Sequence, residues 1–343
     1  MSYSLISNLE ITNDSVSFDL NNQTKEIKIS FSNALRRTII SSIRTYAISD
    51  KSINFFENTS MLNNEFLKHR LTLIPIISDL KDINYENVVI SCKKQNDGEN
   101  MEPIHVNDFI CKDIETDAII DNNIIFKYPD ILFGKLRHNQ HISFESRLTK
   151  NNAEHGGSFF SPVSKCVYTF KVDDAQVKEI TKTMDESQIK TFKSQEIERV
   201  YEKNEIGEPN VYNFVVDSIG FYDPINIVIL GIDCLIDMLS IVKIELRNVK
   251  SKKISLLENM DFFDFTIDDE NETIGNLLST YIAYSKDVAY CGFLIEHPLK
   301  KNIILRIKLI ESMNNLENNI LMIESTIDYL VSLLNKIKME IHK

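Results

Sequence analysis

Between Ser15 and Phe31, apolar and polar residues alternate in two short runs on either side of Asn21–Asn22, a pattern that predicts a hairpin. The period then lengthens. Leu35, Ile39 and Ile43 recur every four residues, so SNALRRTIISSIR predicts a short amphipathic helix capped by Ser32 or Asn33. At ~100° per residue, Asn33, Arg37 and Arg44 fall within about 40° of one another, away from the apolar stripe. Residues 49–165 are polar and weakly periodic, contain KKQNDGEN at 93–100, and close near Gly156–Gly157, which predicts a separate unit. The stretch 173–210 is rich in Glu, Gln and Lys and predicts an exposed loop or a solvated helix. Asp223 and Pro224 then suit the cap and first position of a long helix. Within it Val228, Ile232, Leu235, Leu239, Val242 and Leu246 step by 4,3,4,3,4, a heptad seam. The final segment repeats the seam with Met313, Leu316, Ile320, Ile323, Ile327, Leu330, Leu334 and Ile337. Stripes this regular are costly to leave in water, so each requires a partner.

The arrangement occurs twice. EIKISF and FFDFTI each read as a strand before a short helix, and Asn33, Leu35 and Ile39 correspond to Asn276, Leu278 and Ile282 at an offset of 243 residues. Each half ends in a seamed helix. In the second half AYCGFLI and NIILRIKL flank the turn EHPLKK, with Leu305, Ile307 and Leu309 facing one way and Arg306 and Lys308 the other. The predicted fold class is α+β: two related modules packed pseudo-symmetrically through their helices, with a mostly β domain inserted in the first. Residues 1–48 and 166–250 form the first module, 49–165 the insert, 251–260 a linker and 261–343 the second module. The joint is expected to bury Leu35, Ile39, Ile43, Leu235, Leu239 and Val242 against Leu278, Ile282, Ile320, Ile323, Ile327, Leu330 and Leu334. At roughly 1.5–3 kcal/mol per large apolar side chain before entropy, that is a permanent joint.

Composition narrows the function. Lys plus Arg number 38 against 50 Asp plus Glu, and a net charge of -12 argues against a surface that coats DNA. Partner proteins are the more natural expectation, and Arg36–Arg37 taken alone reads as a solvated helix face. Five cysteines are scattered with none within four residues of another, so no zinc knuckle or redox pair is spelled out. With no apolar signal segment at the start, they fit a reducing intracellular compartment. Apolar runs such as INIVILGI at 225–232 are shorter than the ~20 residues that cross a bilayer, so no membrane role is expected. No phosphate-cradling Gly-rich loop, nucleophile elbow or zinc-protease helix occurs, so no catalytic residue is assigned.

Two longer motifs carry a resemblance. NALRRTIISSI followed by NTSMLNNEFLKHRLTLIPI (58–76) closely resembles the alpha-like subunits of DNA-directed RNA polymerases: the third-largest eukaryotic subunit, its archaeal counterpart and, more distantly, bacterial alpha. VVDSIGFYDPINIVILGID (215–233) is similar to the same partner's approach to its dimerisation helix. DDENETIGNLLSTYIAY with VAYCGFLIEHPL (268–299) resembles the smaller partner, the eleventh eukaryotic subunit or its archaeal counterpart. The partners are usually separate chains. Their union in one polypeptide resembles the fused subunit of large DNA viruses, which implies host cytoplasm and virion, with the nucleus as alternative. The resemblance implies a noncatalytic platform on which the two catalytic subunits assemble. It assigns Asn33, Arg36 and Arg37 to the second-largest subunit, and Glu65, His69 and Arg70 to the same interface. The largest subunit and small zinc-binding subunits of the tenth and twelfth types are further implied partners, with DNA met only through the complex. The second half has Ser279 and Thr280 where the first has its arginine pair. Many relatives carry a metal-binding cysteine cluster in the insert. Cys92 and Cys111 cannot complete a four-ligand site, so neither metal nor other cofactor is expected. The rival reading is a stand-alone scaffold reusing the same fold.

Overall fold

The computed structural model describes residues 4–80, 83–205, 207–248, 250–257, 260–268, 272–297 and 299–342. The chain starts with strands β1 (Ile6–Ile11) and β2 (Ser15–Asn21), an antiparallel pair in which Ile6 faces Leu20. The hairpin expected across Asn21–Asn22 is therefore not the one formed, because β2 turns back on the polar-looking ISNLEI. Residues 22–28 are a loop, held by the buried side chain of Asn22. Its Oδ1 accepts from Ile27 N at 2.9 Å and its Nδ2 donates to Pro209 O at 3.1 Å. Helix α1 (Ile29–Ser41) begins at that loop with Lys28 as cap, ahead of Ser32, and Phe31 turns into the core instead of ending a strand. Arg44 lies beyond the helix end, so it does not share the face of Asn33 and Arg37.

Next come β3 (Thr45–Ile48), β4 (Asn54–Asn58), α2 (Asn64–Thr72), β5 (Val88–Gln95), β6 (Glu102–His105), β7 (Ile110–Asp113), β8 (Ile119–Ile120), α3 (Asn122–Ile125), β9 (Leu132–Leu136), β10 (His141–Asn151) and α4 (Ala153–Gly156). They make a sheet of order β3-β10-β5-β7-β8, with β4 also on β10, and a separate β6-β9 pair. A core of their own includes Leu67, Leu71, Ile90, Phe133 and Phe144. Ala47 already pairs with Thr149, so this sheet starts before the boundary expected at residue 49.

Strand β11 (Val163–Phe170), helices α5 (Asp174–Thr181) and α6 (Glu186–Gln195), strand β12 (Val211–Ser218) and helix α7 (Pro224–Glu245) follow. The charged stretch becomes two short helices capped by Asp173 and Asp185, with Phe192 their buried residue. Asp223 occupies the cap of α7, although its side chain makes no capping bond. The last unit is β13 (Lys250–Leu257), β14 (Met260–Asp268), α8 (Glu272–Ala283), β15 (Val288–Leu294), β16 (Asn302–Leu309) and α9 (Leu316–Ile341). Most of the expected linker 251–260 is instead strand: β13 pairs with β14 over Lys250–Leu257, and the backbone groups on its β14 side find partners in that ladder, while residues 258 and 259 lie outside the described residues. Nor does the second face of β16 open fully to water. Arg306 forks onto Asp264 through two 2.7 Å bonds, and Lys308, 9% exposed, sits over the Phe262 ring.

The first sheet has order β1-β2-β12-β11 and the third β13-β14-β16-β15. Each half therefore runs strand, strand, short helix, strand, strand, long helix. Helix α1 packs on α7 and α8, and α9 packs on the same two helices. One continuous core results. It contains Leu35, Ile39, Ile43, Leu235, Leu239 and Val242 together with Leu278, Ile282, Ile323, Ile327, Leu330 and Leu334, while Ile320 packs half-buried at its margin. Met313 precedes α9 and Leu316 opens it, both partly exposed, so the second seam enters the core only from Ile320. By length and composition Pro224–Asn248 is apolar enough to cross a membrane, contrary to the expectation from its shorter runs. Here Ile227, Val228, Ile232, Leu235, Leu239 and Val242 are instead buried in the shared core.

Candidate functional site

Helix α1 lies where the halves meet, and its side chains define the site. Its apolar stripe is buried, which leaves Asn33, Arg36 and Arg37 half-buried on the remaining face. Asn33 Oδ1 accepts from Arg36 Nε at 3.1 Å and Nη2 at 2.8 Å, an i,i+3 bond that fixes the guanidinium plane. Arg37 does something different. Its Nε donates across the joint to Thr273 Oγ1 on α8 at 2.8 Å. A cavity of about 120 Å³ opens there between Ser30, Asn33 and Arg37 of one half and Glu272, Thr273 and Asn276 of the other. The adjacent arginines therefore divide their work: Arg36 is held within its own half, and Arg37 ties α1 to α8.

Glu65, His69 and Arg70 lie on α2, over the separate core that holds Leu67 and Leu71. Asn63 caps this helix, accepting from Phe66 N at 2.9 Å. Glu65 and His69 are exposed. Arg70 is not a free surface cation, since its Nε donates to Phe133 O at 2.9 Å and its Nη2 to Leu132 O at 2.6 Å. It braces α2 against β9. The two sets of residues sit on different cores and do not form one cluster.

Sequence reading missed a cluster at the other end of α1. Lys28, 5% exposed, places its ammonium 3.2 Å from Glu208 Oε2 and 3.5 Å from the centre of the Tyr284 ring. Tyr284 donates to Glu208 Oε1 at 2.6 Å. Hydrogen bonding to that carboxylate, aided by burial, pushes the phenol up to about 12. Tyr281 donates to Glu26 O at 2.7 Å, and its oxygen accepts from Lys28 N at 3.2 Å. A lysine almost never loses water without such partners, and here they come from the charged stretch and from Tyr284, the residue that follows α8. Further ion pairs join the long helices: Lys338 reaches Asp233 at 2.5 and 2.7 Å, and Lys243 reaches Asp328 at 2.5 Å.

The side chains placed together here, among the described residues, are tied in hydrogen bonds and ion pairs within and between elements of the fold. Cys92 and Cys111 are buried in the second core, and burial pushes their thiols up to about 11 and about 12. What the geometry offers is a partly cationic helix face mounted on a joint between two halves.

Comparison with known proteins agrees with that mechanical reading. Two family models, both described as the RNA polymerase Rpb3/Rpb11 dimerisation domain, match residues 23–239 and 263–340. A DNA-directed RNA polymerase subunit Rpo3 of Pyrococcus furiosus is 43% identical over 68 residues, 20% of this chain and 24% of that protein. DNA-directed RNA polymerase II subunit rpb3 of Dictyostelium discoideum is 46% identical over 71 residues, 21% and 22% of the two chains. Rpo3 of Methanocaldococcus jannaschii is 54% identical over 48 residues, 14% and 24%. The matched segments thus span about a quarter of each relative's length.

Proposed function

The chain belongs to the RNA polymerase Rpb3/Rpb11 dimerisation-domain family, and from that premise we propose that it is a noncatalytic assembly-platform subunit of a multisubunit DNA-dependent RNA polymerase. Its halves act as an intramolecular equivalent of the alpha-like heterodimer, packed pseudo-symmetrically, with the β-rich unit between α1 and β11 inserted in the first. The observation that carries this reading is the repeated order of strands and helices, each half matched by a dimerisation-domain model and both sharing one core. On this reading the first module ends with α7 and the second begins at β13.

Asn33 and Arg36 contact the second-largest subunit, with Arg37 holding α1 at the angle that contact requires. Glu65 and His69 on α2 add a second contact, positioned by Arg70. The largest subunit and small zinc-binding subunits of the tenth and twelfth types complete the assembly, and DNA is met only through the complex. The setting is intracellular and reducing, and extends to the virion if the fused chain comes from a large DNA virus.

Affinity purification of the tagged chain from its native setting tests the reading and should recover two very large polypeptides. Arg36→Glu, which leaves the Arg37–Thr273 bond in place, should lose the second-largest of them from an otherwise folded protein. Its undiminished recovery would refute the interface.

A further inference from the structure

A groove on the β-rich unit takes no part in the joint or in the α1 face. It lies between α2 and the β6-β9 pair and encloses about 350 Å³. Its floor is Leu67, Ile104, Phe133, Leu136 and Ile142, all buried, while Met61, Met101 and Leu132 stand exposed around its mouth. Exposed apolar side chains clustered at one concavity mark a binding surface. The volume, at the low end of the ~300–1,000 Å³ range of ligand sites, suits a few side chains of a peptide better than a large cofactor.

Charge names the occupant. Arg70, Lys135 and Arg137 line the groove and, among the described residues, no carboxylate does. In a chain of net charge -12, a rim of three cations runs against the average. Lys135 and Arg137 are exposed, and neither forms an ion pair among the described residues. Gly134 adds a third observation. It lines the groove from β9, and a Cβ there would meet nothing within 4 Å. The bare glycine leaves room over the strand that a side chain would fill. Phe133, the one aromatic residue in the lining, is 1% exposed and offers no ring face for base stacking.

We propose that this groove binds a short acidic peptide segment of a partner protein, its apolar side chains seated over Gly134 and its carboxylates on Lys135 and Arg137, the two cations of the rim that are not already tied to the strand. The site stands apart from the α1 face and does not depend on which subunit meets that face.

The test is fluorescence anisotropy with the full chain. The probe is a labelled dodecapeptide carrying two leucines flanked by glutamates, beside its glutamine-substituted analogue and an oligouridylate of equal charge. The acidic peptide should bind saturably, and the glutamine analogue at least about tenfold more weakly. Lys135→Glu with Arg137→Glu should cost a similar factor. Gly134→Val, which has the space to fold, should abolish binding while circular dichroism and melting stay unchanged. Three results would each overturn the proposal: no saturation up to about 1 mM, binding indifferent to both variants, or oligouridylate binding as tightly as the acidic peptide.

Discussion

Replacing Gly231 by alanine sets two effects against each other on one carbon. In a helix interior alanine is preferred over glycine by ~1 kcal/mol, so α7 taken alone would gain stability. The added Cβ, however, would lie 2.4 Å from Ile39 Cγ1, 3.4 Å from its Cδ1 and 3.6 Å from its Cα. Carbon atoms in contact sit ~3.5–4.0 Å apart, so α1 or the Ile39 side chain has to move by more than an ångström. Ile39 is 0% exposed, and α1 is packed against α8 as well as α7, so the displacement has to be taken up by already packed neighbours. Overpacking of this kind costs ~1–3 kcal/mol, which outweighs the propensity gain and leaves a net loss of about 1 kcal/mol. Leucine at the same position should do worse. Ile39→Ala removes the clashing atom but by itself costs ~2–5 kcal/mol through the cavity it leaves. The double variant should therefore lose about 2 kcal/mol less than the sum of the two singles, a favourable coupling equal to the overpacking relieved. Scanning calorimetry and urea unfolding followed by tyrosine near-ultraviolet signals would measure all four corners of the cycle; the chain contains no tryptophan. A higher melting temperature for Gly231→Ala, with strictly additive behaviour in the double variant, would refute the close packing of α1 on α7.

Three further outcomes follow from the same geometry. Interrupting the chain after Asn248, ahead of β13, and co-expressing the pieces should give a one-to-one complex on gel filtration, and separation of the halves would contradict the shared core. Lys28→Met should destabilise the protein by about 2 kcal/mol, because it leaves the Glu208 carboxylate, 18% exposed, without its cation. Adding Glu208→Gln should restore part of that loss in urea unfolding, and a silent Lys28→Met would dismiss the cluster as a stabilising contact. The Tyr284 phenol is raised from 10.0 to about 12 by its bond to Glu208. A raised acid contributes its stability fully below the unfolded value, so that part persists below pH 10 and is lost as pH climbs towards 12. Tyr284→Phe should flatten the unfolding profile across that window, and an unchanged profile would argue against the hydrogen bond.

The short helices, the long seams and the residues now buried in the joint were legible because helical periodicity is local. Leu35, Ile39 and Ile43 declare a buried face through their own spacing, whatever they pack against. Strands were less legible where they lacked a clean alternation. ISNLEI in β1 is half polar and loses its alternation at Ser7–Asn8, and without it the matching role of β13 could not be seen, so the latter passed for a linker. The candidate site divided in the same way. The motif picked out Asn33, Arg36, Arg37 and Arg70, but not that Arg37 bonds Thr273, 236 residues away, or that Arg70 is held by the carbonyls of β9.

By itself, then, the amino-acid order determined the two apolar-striped helix pairs, their repetition and the need of each stripe for a partner. Spacing along a helix sets which side chains share a face, and burying that face is favourable against almost any apolar surface. Tertiary structure alone decided which polar groups lose water together. Lys28 meets Glu208 across 180 residues, and Glu208 meets Tyr284 across another 76. Such a cluster is stable only when every charge finds its partner at hydrogen-bond distance. No local pattern encodes that, because the partners become neighbours only after the shared core has closed.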